Sequence, residues 1–173
     1  MNFRSALFIW SLAICSMVTS CTTSKLYLTN NKQSGIFKEA KADSIRHYLS
    51  EISGEQIQDT VFIKYEFDNE TCWNVLDGQS DQYISSVIES RNAYVSRYQN
   101  DHPNVTILSI KEIGKNFNKL VMRNPKIIVD QGGYLRQYIF LNNAKCGTSM
   151  KLFPNGRYEC YLSDAHFGIL NSK

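Results

Sequence analysis

From Thr60 to Asp68 apolar and polar residues alternate, with Val61, Ile63, Tyr65 and Phe67 on one side and Phe62, Lys64, Glu66 and Asp68 on the other. A period of two predicts a β-strand. Its charged alternate positions suit a strand with one face in solvent, because a central parallel strand is normally apolar on both faces. From Tyr83 to Tyr98 the period changes. Tyr83, Ile84, Val87, Ile88, Tyr94, Val95 and Tyr98 recur at spacings of three, four and seven, which predicts a long amphipathic helix capped by Ser80 or Asp81. His102-Pro103-Asn104 ends it, and Val105 to Ile110 reads as a second strand, parallel to the first.

Shorter signals flank this strand–helix–strand unit. Ile45, Tyr48, Leu49 and Ile52 predict a helix between Ile36 and Ile52, stopped by Ser53-Gly54. Ile113, Phe117, Leu120 and Val121 predict another, with Lys111, Lys115, Lys119 and Arg123 as a basic stripe ended by Asn124-Pro125. Lys126 to Val129 is a strand candidate, Gly132-Gly133 a turn, and Tyr134 to Leu141 either a short helix or an antiparallel strand. Near the end, Gly147–Phe153 and Arg157–Ser163 flank Pro154-Asn155-Gly156, a hairpin signal. Of its two registers, the one pairing Tyr158 with Leu152 and Cys160 with Met150 gathers the apolar residues on one face and is preferred.

The first twenty-one residues differ in kind. A basic start with Arg4 precedes an apolar run from Ala6 to Val18, too short for a membrane span of about 20 residues. Val18-Thr19-Ser20-Cys21 resembles the lipobox of bacterial lipoproteins. The resemblance implies that residues 1–20 are a signal peptide, that Cys21 receives a diacylglyceryl group, and that acyl chains such as palmitate anchor the chain to a membrane of the bacterial cell envelope. Two or three chains hold stably where one holds only marginally. Thr22-Thr23-Ser24-Lys25 carries no acidic export cluster, which favours a periplasm-facing location. Residues 21–35 are mostly polar and read as a tether, leaving 36–173 as a single globular domain.

Composition narrows the function classes. The net charge of +3 falls to +2 when Arg4 leaves with the signal, too little for a nucleic-acid partner without a clustered basic face. Of five cysteines, Cys15 leaves with the signal and Cys21 is lipidated, so Cys72, Cys146 and Cys160 allow one internal disulfide at most. In either hairpin register Cys146 lies roughly 14 to 17 Å from Cys160 along the strands, beyond the roughly 7 Å between α-carbons that a disulfide tolerates.

The order of elements from 60 to 170 resembles the thioredoxin-like fold, in particular its redoxin branch, through strand, cysteine loop, long helix, strand, helix, Val129-Asp130 and a closing Asn-Gly hairpin. The resemblance implies an α/β sheet flanked by helices with a C-terminal β-hairpin. The alternative is a less specific α+β sandwich. It also implies that Cys72 takes the reactive position and that Cys146 approaches it. Two motifs depart from the family pattern: Val75 stands where a second cysteine of Cys-x-x-Cys belongs, and Gly147-Thr148 stands where Pro-Thr is expected. Cys72 also lies eight residues before Ser80, beyond the helix's first turn, where a thiol pKa would be lowered.

Other constellations are weaker. Glu66, Asp68 and Glu70 are candidate oxygen ligands for calcium if the strand runs on to Glu70. Ser163-Asp164-Ala165-His166 holds triad residue types, but no nucleophile turn accompanies them. His47, His102 and His166 lack zinc-ligand spacing, and no cofactor loop is present. The basic stripe could rest on anionic headgroups, and the ten Tyr and nine Phe suit a binding surface. Two functions therefore stand: a non-catalytic binding or accessory envelope lipoprotein with a protein or small-ligand partner, or a periplasmic thiol-disulfide oxidoreductase using Cys72, with Cys146 as its second cysteine.

Overall fold

Strand β2 (Thr60–Glu66) lies at the centre of the fold, and every side chain from Val61 to Glu66 is buried. The computed structural model, which describes residues 31–172, pairs β2 on one side with β3 (Val105–Glu112), in parallel, and on the other with β5 (Thr148–Leu152), antiparallel. Strand β4 (Ile127–Asp130) runs parallel to β3, β6 (Arg157–Leu162) antiparallel to β5, and β1 (Lys32–Ile36) antiparallel to β6. The result is a six-stranded mixed sheet in the order β1-β6-β5-β2-β3-β4 with helices on both faces.

The two faces of β2 bury different things. Val61, Ile63 and Tyr65 join Leu108, Ile110, Met150 and Leu152 beneath α1 (Glu39–Ser53), whose Ile45 and Leu49 complete that core. A short helix α4 (Tyr134–Tyr138) adds Leu135. Phe62 and Ile107 face the other way, toward Tyr94, Val95 and Tyr98 of α2 (Asp81–Asp101) and the C-terminal turn with Phe167, Ile169 and Leu170. Nearer the start of α2, Ile84 and Ile88 meet Leu120 of α3 (Lys119–Arg123). Ser80 caps α2 by accepting from the Tyr83 amide at 3.2 Å, and the Gly54 amide closes α1 on the Ser50 carbonyl at 2.9 Å.

The hairpin takes the register that gathers its apolar residues, with Cys160 opposite Met150 and Tyr158 opposite Leu152. Several expectations need correction. Lys64 and Glu66 do not face solvent: both are completely buried, because α2 and the chain near Asp164 cover the face they share with Phe62. The tether expected to reach Gly35 stops short of it, since Lys32–Ile36 supplies the edge strand β1 and finds its backbone partners on β6. The basic stripe does not exist. β3 runs on to Glu112, so Lys111 lies on a strand and Lys115 in a loop, and only Lys119 and Arg123 share a helix. Of the two readings left open for Tyr134–Leu141, the short helix is the one found, over Tyr134–Tyr138. The signal peptide, Cys21 and residues up to 30 lie outside the described residues; among those described, no helix is long and apolar enough to cross a membrane.

Candidate functional site

Cys72 lies in the loop that leaves β2, and Cys146 immediately precedes Gly147 and β5. Because β5 is the antiparallel neighbour of β2, the end of one strand meets the start of the other at one end of the central pair. The sulfurs are bonded, with α-carbons 4.8 Å apart and 74 residues between them in sequence. Both cysteines are partly exposed. Cys160 is the free, buried cysteine among the described residues, and burial pushes its thiol up to about 12. Cys72 is separated from α2 by a 3-10 turn at Asn74–Leu76, so it does not belong to the helix's first turn.

Beneath the disulfide is a set of charged side chains that periodicity alone did not reveal. Lys64 donates to the carbonyl oxygens of Cys146 at 2.6 Å and Asp164 at 2.7 Å, and its ammonium lies 3.7 Å from Glu66 Oε2. Arg91, on α2, donates to Glu66 Oε1 at 2.7 Å. Burial pushes the Lys64 pKa down while Glu66 opposes the fall. For Glu66 burial works upward, but Lys64 and Arg91 together bring it below the ordinary carboxyl range. Glu70 behaves oppositely. Desolvation and the neighbouring Glu66 charge push it up to about 9, so it carries a proton at neutral pH. That proton answers a shortage, since Glu66 Oε2 and Glu70 Oε1 are both buried without a donor among the described residues. Two carboxyls sharing one proton also avoid facing each other as like charges.

Gly147 makes the close approach possible. Its φ is +69°, and a Cβ there would lie 2.6 Å from Glu66 Oε2 and 2.7 Å from Lys64 Nζ. Only glycine takes that conformation without strain and leaves the cluster room. Gly147 is therefore fixed by its own backbone conformation and by the buried ions below it.

A groove of about 450 Å³ opens beside the disulfide, between the first half of α2 and the turn at Ala165–Phe167. Trp73, Tyr83, Val87 and Tyr94 give it aromatic and apolar walls, and Arg91 and His166 lie at its polar margin. The Trp73 ring meets His166 edge to face with centroids 5.3 Å apart, and its indole N–H is buried without an acceptor.

The remaining candidates separate. Glu66 and Glu70 come together but are committed to Lys64, Arg91 and the Phe67 amide, while Asp68 turns away to accept from Asn116. No group of three metal-ligating side chains occurs among the described residues. Asp164 spends its carboxylate on the amides of Gly168 and Ile169, at 2.6 and 3.1 Å, and Ser163 accepts from the Lys145 amide. With His166 against Trp73, no triad forms. The missed residues had one legible sign: Lys64 and Glu66 stand in a strand whose other residues are as apolar as those of a central one. Arg91 left none, since nothing in the period of α2 distinguishes it from a solvated residue. No family model matches the chain, and no curated protein or solved structure gives a significant match.

Proposed function

We propose that this chain is a lipid-anchored protein of the bacterial envelope, periplasm-facing, whose degenerate thioredoxin-like domain binds a protein or small ligand and acts without catalysis. The observation that carries this reading is the Cys72–Cys146 bond standing on the Lys64–Glu66–Arg91–Glu70 cluster, beside an aromatic groove. The bond ties the loop that holds Trp73 to the start of β5, so it holds one wall of the groove in place. Lys64 reinforces the same junction by binding the Cys146 carbonyl.

The thioredoxin-like assignment draws support from the parallel β2-α2-β3 unit, the antiparallel hairpin beside β2, and cysteines at the two positions that meet in that fold. The non-catalytic role draws support from Val75, which stands where a Cys-x-x-Cys pair would place its second cysteine, and from the eight residues that separate Cys72 from Ser80 at the start of α2. A second reading, thiol-disulfide exchange through Cys72, is favoured by the partial exposure of both cysteines and by the two cations, Lys64 and Arg91, that stand with the single carboxylate of Glu66 below them, which would stabilise a thiolate.

Mass spectrometry of protein purified from membranes tests the anchor: residues 1–20 absent and acyl mass on Cys21 support it, and an intact amino terminus with no added mass refutes it. Thiol counting and insulin reduction separate the two roles. The binding role predicts one reactive thiol, at Cys160, after unfolding without reductant, and no reductase activity. Activity abolished by Cys72→Ser would establish the enzyme.

A further inference from the structure

The opposite face of the hairpin carries a second cavity, of about 240 Å³, which the disulfide site does not use. Its floor consists of alternate residues of β5 and β6, among them Thr148, Met150 and Cys160, and its walls are Phe37, Lys41 and the chain from Tyr138 to Asn142. The space is smaller than the roughly 300–1,000 Å³ of sites for drug-sized molecules. At its rim Tyr138 and Leu141 are exposed.

Beside Gln33 and Asn142, two polar groups that line this cavity have hydrogen-bonding capacity left over. Thr148 is 3% exposed, and its hydroxyl has no partner among the described residues. Lys41 donates one of its three N–H bonds to the Tyr138 carbonyl at 3.1 Å and lies 5.3 Å from the centre of the Phe37 ring. No carboxylate pairs with it among the described residues. A cation at the wall of an apolar cavity calls for an anion, and a buried hydroxyl that can donate and accept calls for a second polar atom.

We propose that this cavity binds a small aromatic carboxylate bearing a second polar substituent. The carboxylate meets the Lys41 ammonium, the ring lies against Met150, Phe37 and Cys160, and the substituent bonds the Thr148 hydroxyl. The proposal is independent of the lipid anchor and of any reaction at Cys72.

The test uses the mature chain with its disulfide intact and 3-(4-hydroxyphenyl)propionate as the probe, followed by calorimetry and by the rate of maleimide labelling at the Cys160 peptide. The expected result is saturable binding that slows Cys160 labelling in step with occupancy. Lys41→Met weakens it by about tenfold, and the uncharged amide of the probe binds as weakly to the parent protein. Thr148→Val removes the preference for the probe over 3-phenylpropionate, and unchanged circular dichroism confirms that the variants fold. Absence of saturation up to about 10 mM, or binding that neither variant alters and that leaves Cys160 labelling unchanged, would overturn the proposal.

Discussion

Lys64 shows how one side chain ties the core to the candidate site. Its ammonium serves two backbone carbonyls from chain segments distant in sequence and balances Glu66 inside the core. Lys64→Met leaves Glu66 with Arg91 alone and strips both carbonyls of their donor, so it should destabilise the domain by about 1–3 kcal/mol in urea unfolding. Glu70 gives a pH signature. It binds its proton more tightly in the folded than in the unfolded chain, so it supports the fold below the ordinary carboxyl range and loses that support as pH rises toward about 9. Glu66 works in the opposite direction. Its lowered pKa supports the fold above the ordinary carboxyl range and is lost on acidification. Glu70→Gln cannot ionise, so its melting temperature should match the parent near pH 4 and exceed it by a margin that widens toward about pH 9; calorimetric melts across that range check it. At this scale the sequence was least legible. Charges at alternate strand positions carry the same pattern whether water or a helix covers them, and the deciding residue, Arg91, is supplied by another element.

Among the elements, those whose boundary has a local chemical cause could be read in advance. Ser80 starts α2, Gly54 closes α1, and Asn155-Gly156 with the apolar face of the flanking strands sets the hairpin register. Gly156 has a φ of +77°, and a Cβ there would lie 2.8 Å from the Phe37 carbonyl oxygen. Gly156→Ala should therefore cost about 1–2 kcal/mol for the backbone conformation alone, with a further loss from displacing Phe37, whose amide bonds the Gly156 carbonyl at 2.9 Å. Equilibrium unfolding measures the cost, and amide exchange should show β1 loosening first. β1 was hidden because Lys-Gln-Ser-Gly-Ile has neither apolar alternation nor a turn to mark it, and its order comes entirely from β6. The segment after β3 misled for a different reason. Ile113, Phe117, Leu120 and Val121 have helical spacing, but Asp68 binds the Asn116 backbone and side chain and holds Gly114 close, so the chain turns there instead of coiling.

For the whole molecule, the order of strands and helices was legible because each crossover leaves its own period in the sequence, whereas the meeting of Cys72 with Cys146 depends on which strand lies beside β2. That meeting has a large energetic consequence. Closing a loop of 74 residues contributes roughly 4–5 kcal/mol in the chain-entropy treatment, enough to raise the melting temperature by roughly 10–15 °C in a domain of this size. A bond that holds the fold and a groove wall should resist reduction, whereas one that cycles must take up two electrons and release them again within the poise of its compartment. The reduction potential of Cys72–Cys146 in the folded protein, measured by equilibration with dithiothreitol redox buffers, distinguishes the two. A value below about −300 mV is predicted for a structural bond; a value above about −230 mV, in the range of catalytic dithiols, would contradict the account.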